Sequence, residues 1–102
     1  MTKITVYINE ADQWQHRSLY LEILRMLHGN GIAGGTVLHA VAGFTNSGDI
    51  ETTTLVDVGS KLPLVIEFID TFENIETVLP ELKKMVGHRL ITREQVEVLN
   101  YL

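Results

Sequence analysis

The four histidines, His16, His28, His39 and His88, are the side chains here best suited to hold a metal or move a proton. Three or four ligands must converge for zinc, yet the histidines show no i,i+4 pair and no HExxH-type pattern. Surface or hydrogen-bonded histidines are the plainer reading. His88 is the most notable, because it follows Gly87 at an expected helix terminus beside Arg89. Serine chemistry has no better footing, since Ser18, Ser47 and Ser60 lie in no GxSxG elbow. The carboxylate pairs Asp49/Glu51 and Glu73/Glu76 read as solvated polarity. There are no cysteines, which removes disulfides, thiolate metal sites and thiol nucleophiles together. The stretch GNGIAGGTV, residues 29–37, is rich in glycine but falls between a helix and a strand. A phosphate loop runs strand, loop, helix, so taken alone this stretch is a tight αβ turn. The Lys83–Lys84 pair fits the solvent side of a helix. Trp14 reads first as packing and second as a stacking surface for a ligand. No catalytic set emerges, and a non-enzymatic protein is the expectation.

The elements that must position these residues sort by hydrophobic period. Ile4, Val6 and Ile8 alternate with Thr5, Tyr7 and Asn9, which predicts a strand over 3–9. Residues 10–16 are polar and read as a loop. Leu19, Ile23, Leu24 and Leu27 recur at helical spacing within 17–30, and Gly29 and Gly31 stop that helix. A second strand is expected over 36–41 and a third, LPLVIEFID, over 62–70. Ile75, Val78, Leu79, Leu82, Met85 and Val86 form the stripe of a second helix, with Asp70 and Glu73 at capping-box spacing. Pro80 falls in phase with that stripe and predicts a kink without a break. Gly87 ends the helix, and a last strand is expected over 96–101. The order β-α-β-β-α-β is that of the ferredoxin-like split βαβ: α+β, a four-stranded antiparallel sheet with both helices on one face.

Length and charge set the outer limits. At 102 residues, with 45% hydrophobic and 21% charged side chains, the chain fits one globular domain, 1–102. Thirteen acidic against eight basic side chains give a net charge of −5, which argues against nucleic-acid or anionic-membrane binding. No apolar run is long enough for a signal peptide or a membrane span, so a cytoplasmic protein without membrane insertion is expected.

Helices cover only one face of such a sheet. Leu64, Ile66 and Phe68 are expected to face them, while Val65 and Ile69 point the other way, joined by Val37 and Val41 or their alternates. A continuous apolar free face would mark an oligomer interface. The polar stretch 44–61 is expected to be a long flexible loop, and connections of that length are commonly functional.

The run GIAGGTVLHAVAGF, residues 31–44, resembles the helix-to-strand passage of the PII signal-transduction family. The fit is closer to the PII-related group long catalogued only as a domain of unknown function. Tyr7 and Glu10, Leu19-Tyr20, Gly43-Phe44, LPLVIEFID, Leu79-Pro80-Glu81 and Met85-Val86-Gly87 are similar to that group's pattern, which spans about residues 3–101. The resemblance implies a homotrimer with the bare sheet faces turned inward and the 44–61 loop in the position of the T-loop, which touches protein partners. It also implies an adenine nucleotide bound in clefts between subunits, with no cofactor required. By position, Gly43, Phe44 and Thr45 form the loop base, Gly87, His88 and Arg89 the opposing turn, and Lys61 the far end of the loop. This chain has Ala42 where PII proteins carry a lysine before the Gly-Phe pair. Its turn after the second helix is also shorter than the family's glycine-rich phosphate turn. A partner such as a membrane transporter would read the loop. The alternative is a trimeric metal-binding or scaffold protein related by fold to divalent-cation-tolerance proteins.

Overall fold

The computed structural model describes residues 1–44, 50–52 and 61–100. In chain order its elements are β1 (Thr2–Asn9), β2 (Gln13–Trp14), β3 (Arg17–Ser18), α1 (Leu19–Gly29), β4 (Thr36–His39), β5 (Ala42–Gly43), β6 (Glu51–Thr52), β7 (Pro63–Asp70), α2 (Phe72–Val86) and β8 (Leu90–Gln95). The main sheet has the order β4-β7-β1-β8, and every pairing in it is antiparallel. With α1 and α2 packed over one face, this is the ferredoxin-like fold expected from the element order.

Alternation along the strands makes the core. Ile4, Val6 and Ile8 on β1 stand opposite Phe68, Ile66 and Leu64 on β7, and all six are buried. The helices lay Leu19, Ile23 and Leu27 from α1, and Ile75, Val78 and Leu82 from α2, onto that layer. Removing such side chains from water contributes about 1.5–3 kcal/mol each.

The free face differs from the continuous apolar patch expected. Leu38, Val65, Tyr7 and Leu90 form one apolar row across all four strands. The next row is Thr36, Glu67, Thr5 and Thr92. Beyond it, Lys3 lies 3.5 Å from Glu67 and 3.7 Å from Glu94. Ile69 shares the Lys3 row, exposed as expected, and the rest of the apolar surface of this face is concentrated at the end of the sheet where β1 finishes and β7 begins. Leu38, not Val37, is the β4 residue on that face, because Val37 pairs with Ile66 and packs on the core.

Several boundaries move. The last strand is Leu90–Gln95, not 96–101. As an edge strand it carries only Ile91 against the core, so its sequence, LITREQ, lacks the alternation that Val96 and Val98 display. Residues 10–16 are not wholly loop: β2 and β3 form a hairpin turning through Gln15 (φ 51°) and His16 (φ 66°). Two consecutive left-handed residues match a type I′ turn, without the Asn-Gly pair that usually announces one. The second strand stops at His39. Ala42 and Gly43 then pair with Thr52 and Glu51. Within the expected 44–61 loop, residues 45–49 and 53–60, Thr45 included, lie outside the described residues. Helix α2 runs through Pro80 unbroken.

The cap of α2 is also reassigned. Thr71, not Asp70, is the N-cap, and its Oγ1 accepts from the Asn74 amide at 3.2 Å. Asp70 is buried and ties three segments together. Its carboxylate accepts from the Ala33 amide at 3.0 Å, the Thr71 amide at 2.7 Å and Asn74 Nδ2 at 2.8 Å. Burial alone would raise this carboxyl, but the hydrogen bonds from Ala33, Asn74 and Thr71 outweigh it and hold it below the ordinary aspartate value.

Asp70→Ala should therefore cost about 2–3 kcal/mol, read as a lower urea midpoint at unchanged slope. Because the folded pKa is depressed, this stabilisation is present above the ordinary aspartate value of about 3.9 and is lost as pH falls through the folded one. Acid titration of stability should show a steeper fall in the native chain than in Asp70→Ala.

Candidate functional site

Where β1 ends, the residues Asn9-Glu10-Ala11-Asp12 leave the sheet as a tight polar turn. Asp12 Oδ2 accepts from the Asn9 amide at 2.8 Å, and Asn9 Oδ1 accepts from the Ala11 amide at 2.9 Å. The turn reaches in three directions. Asn9 Nδ2 donates to the Lys61 carbonyl at 2.8 Å. Glu10 accepts from the Leu62 amide through Oε1 at 2.8 Å, and its Oε2 lies 2.8 Å from His39 Nε2. Asp12 Oδ2 also takes a 2.8 Å bond from Arg89 Nε, and Arg89 donates back to the Val86 carbonyl at 3.0 Å.

The Leu62 amide, followed by the His39 hydrogen bond and charge, holds the Glu10 carboxyl below the ordinary glutamate value against a smaller desolvation effect. One carboxylate thus joins the strand that runs into the loop base, through His39, to the strand that leaves the loop, through Leu62. The backbone repeats the link, since the Glu10 amide donates to the Leu62 carbonyl at 3.0 Å and the Ala40 amide to the Pro63 carbonyl at 2.9 Å.

The expected ligand residues fall into two groups at this one end of the sheet. Gly43 sits in β5 against β7, where an added Cβ would come within 3.3 Å of Pro63 Cγ. Phe44 beside it is exposed, as is the Lys61 side chain. Gly87 closes α2 with φ 64°, a left-handed value that favours glycine, and donates to the Lys83 carbonyl. His88 is exposed, and Arg89 leads into β8. Gly43 lies against Pro63 at the start of β7 and Gly87 to Arg89 lie beside β8, with the Asn9–Asp12 turn of β1 between them, bonded to the Lys61 carbonyl and to Arg89. Among the described residues no hydrogen bond or ion pair joins the two groups directly, and Thr45 is not among those residues.

Residue-type reasoning about sites passed over Asn9 and Asp12 and read His39 only as a surface or hydrogen-bonded histidine. The available signal was a dense polar run directly after a strand with a strongly apolar face. Among the described residues no three His, Cys, Asp or Glu side chains converge as a metal cluster. Two cavities described on the single chain lie elsewhere. One, of about 560 Å³, sits between the Trp14 hairpin and the helices. The other, of about 390 Å³, lies beside the end of α1 at Leu27, Ile32 and Gly34.

Comparison with known proteins places this arrangement in context. The family model DUF190 (Uncharacterized ACR, COG1993) matches residues 1–98. A UPF0166 protein of Aquifex aeolicus is 32% identical over 96 residues, covering 94% of this chain and 90% of the relative. A UPF0166 protein of Methanocaldococcus jannaschii is 31% identical over 83 residues, covering 81% of this chain and 76% of the relative. The solved structure of CPII, a nitrogen regulatory PII-like protein from Thiomonas intermedia K12 bound to ADP, AMP and bicarbonate, aligns with 93% of this chain and 86% of its own. Its TM-score is 0.49 and its identity 15%.

Glu10→Ala should release the Leu62 amide and speed its hydrogen exchange by roughly tenfold, the loss expected for one charge-assisted hydrogen bond. The same exchange should quicken in the native protein as pH falls through the lowered folded pKa of Glu10, after correction for intrinsic rates. An unchanged rate in Glu10→Ala would mean that the strand pairing alone holds this amide.

Proposed function

Because the chain belongs to the DUF190 family, we propose that it is a non-enzymatic regulatory protein of the PII-like kind, acting as a cytoplasmic homotrimer. It binds an adenine nucleotide in clefts between subunits and signals to a protein partner, such as a membrane transporter, through the 44–61 segment. The observation that carries this reading is the gathering of the expected ligand residues into two groups at one end of the sheet, on either side of the Asn9–Asp12 turn. On this reading a cleft forms where the Gly43 group of one subunit meets the Arg89 group of the next. The apolar row Leu38, Val65, Tyr7 and Leu90 supports the same assembly, because it lies on the bare face at that end and would be covered by it.

Arg89 enters the reading with its position already fixed. Held by Asp12 and the Val86 carbonyl, its guanidinium keeps further N–H donors for a phosphate without paying the entropy of being ordered at binding. Lys61 supplies a second cation from the other group. A nucleotide that bridges the two would favour one conformation of the loop base over another, and the Glu10 clasp is the element whose two ends it would bias.

Native mass measurement should give a trimer. A thermal-shift series with AMP, ADP, ATP and cyclic nucleotides should raise Tm by roughly 10 °C for the cognate one at about 100 times its Kd. Arg89→Ala and Lys61→Ala should each weaken that nucleotide by about tenfold. If neither changes its affinity, the assigned residues are wrong; if no nucleotide shifts a confirmed trimer, the ligand class is wrong.

A further inference from the structure

The cavity beneath the β2–β3 hairpin lies on the helix side of the sheet, away from the residues assigned to the nucleotide. Its walls come from three separate segments. The hairpin contributes Trp14, α1 contributes Arg25 and Met26, and α2 contributes Glu81 and Met85, with Arg17 at the rim. The left-handed pair Gln15–His16 closes the hairpin, and Trp14 packs, partly buried, against the core beside α1.

The charges in this cavity are incompletely matched. Glu22 Oε1 accepts from Arg25 Nη1 at 2.9 Å and lies 3.5 Å from Arg17 Nη1. One carboxylate therefore serves two guanidinium groups and leaves one positive charge uncompensated, in a chain whose net charge is −5. Glu22 is largely covered, at 16% exposure, whereas Arg17 and Arg25 are 71% and 62% exposed. Each guanidinium carries five N–H donors, and among the described residues Glu22 is the only acceptor bonded to either. On the α2 wall, Glu81 has no cation within ion-pair distance among the described residues. The cavity thus has a cationic side and an anionic side, with an indole and two thioethers around the same space.

We propose that this cavity is a binding site for a small zwitterion, specifically a free α-amino acid with an apolar side chain. Its carboxylate meets Arg17 and Arg25, its ammonium meets Glu81, and its side chain lies against Trp14, Met26 and Met85. Each feature answers one unmet property of the cavity. A simple carboxylate would satisfy the arginines but face Glu81, and a simple amine would satisfy Glu81 but face the arginines. Glu22 draws the two guanidinium groups to one place before any ligand arrives, which lowers the cost of engaging both. The inference does not rest on the nucleotide reading, since it uses none of the same residues.

Trp14 is the only tryptophan, so its emission reports on this cavity alone. The experiment titrates the full chain with phenylalanine, leucine and methionine, exciting only the indole, and compares phenylpropionate and phenethylamine. A saturable change with phenylalanine, tighter than with either singly charged analogue, is expected. Arg25→Ala should weaken phenylalanine and phenylpropionate alike by roughly tenfold. Glu81→Gln should weaken phenylalanine while leaving phenylpropionate unchanged or tighter. Both side chains are exposed, and circular dichroism with urea unfolding checks that the variants remain folded. No saturable change with any probe in the native chain would overturn the proposal. So would an equal loss of phenylalanine and phenylpropionate in Glu81→Gln.

Discussion

The ladder between β1 and β7 runs without a break from Thr2 opposite Asp70 to Asn9 opposite Pro63, and the core layer forms in this register only. A slip of one residue would turn Ile4, Val6 and Ile8 to the bare face and set Lys3, Thr5 and Tyr7 under the helices. Hydrophobic burial opposes that slip, and so does a carboxylate at each end of the ladder. At one end Asp70 gathers the turn after α1 and the start of α2. At the other, Glu10 holds Leu62 and His39. Both carboxylates sit below their ordinary pKa, so both act as anions through the neutral range. The central pair of strands is thereby fixed at the two places where loops leave the sheet.

What could be seen in the sequence followed from burial. Strands β1 and β7 and both helices show the period of a face packed on the core, and their placement agrees with the structure to within a residue or two. Strand β8 escaped because an edge strand exposes most of its side chains, and Thr92, Arg93 and Glu94 carry no apolar alternation. The β2–β3 hairpin escaped because its left-handed turn is built from Gln15 and His16, neither of which signals that conformation. The Asp70 reading was half right: a polar residue does anchor the start of α2, but Thr71 caps the helix while Asp70 reaches across to Ala33. That contact spans 37 positions in sequence, and no local pattern encodes it.

Electrostatics at the sheet end were less legible than the fold. Gly87 and Gly43 stand where a turn and a close approach require them, and both can be read from residue type. The partners of Arg89 cannot. The structure commits its Nε to Asp12, a residue 77 positions away, and so converts an apparent free cation into a positioned one. His39 is likewise engaged by Glu10 and is no isolated surface imidazole. A count of charges gives the local balance, but the distribution of hydrogen bonds decides which donors are left for a ligand.

The two edges of the sheet are chemically unlike. One is β4 and the other is β8 with the Arg89 turn beside it, so a subunit contact that joined one to the other would be head to tail and not self-complementary. Head-to-tail contacts either close into a ring or continue as an open filament, and the angle between successive subunits decides which. On the proposed reading, a closed ring would hold as many shared nucleotide clefts as subunits, whereas a lone chain would hold none of them. Under the proposed function, ligand affinity would depend on protein concentration, and dilution alone would switch the sensor off.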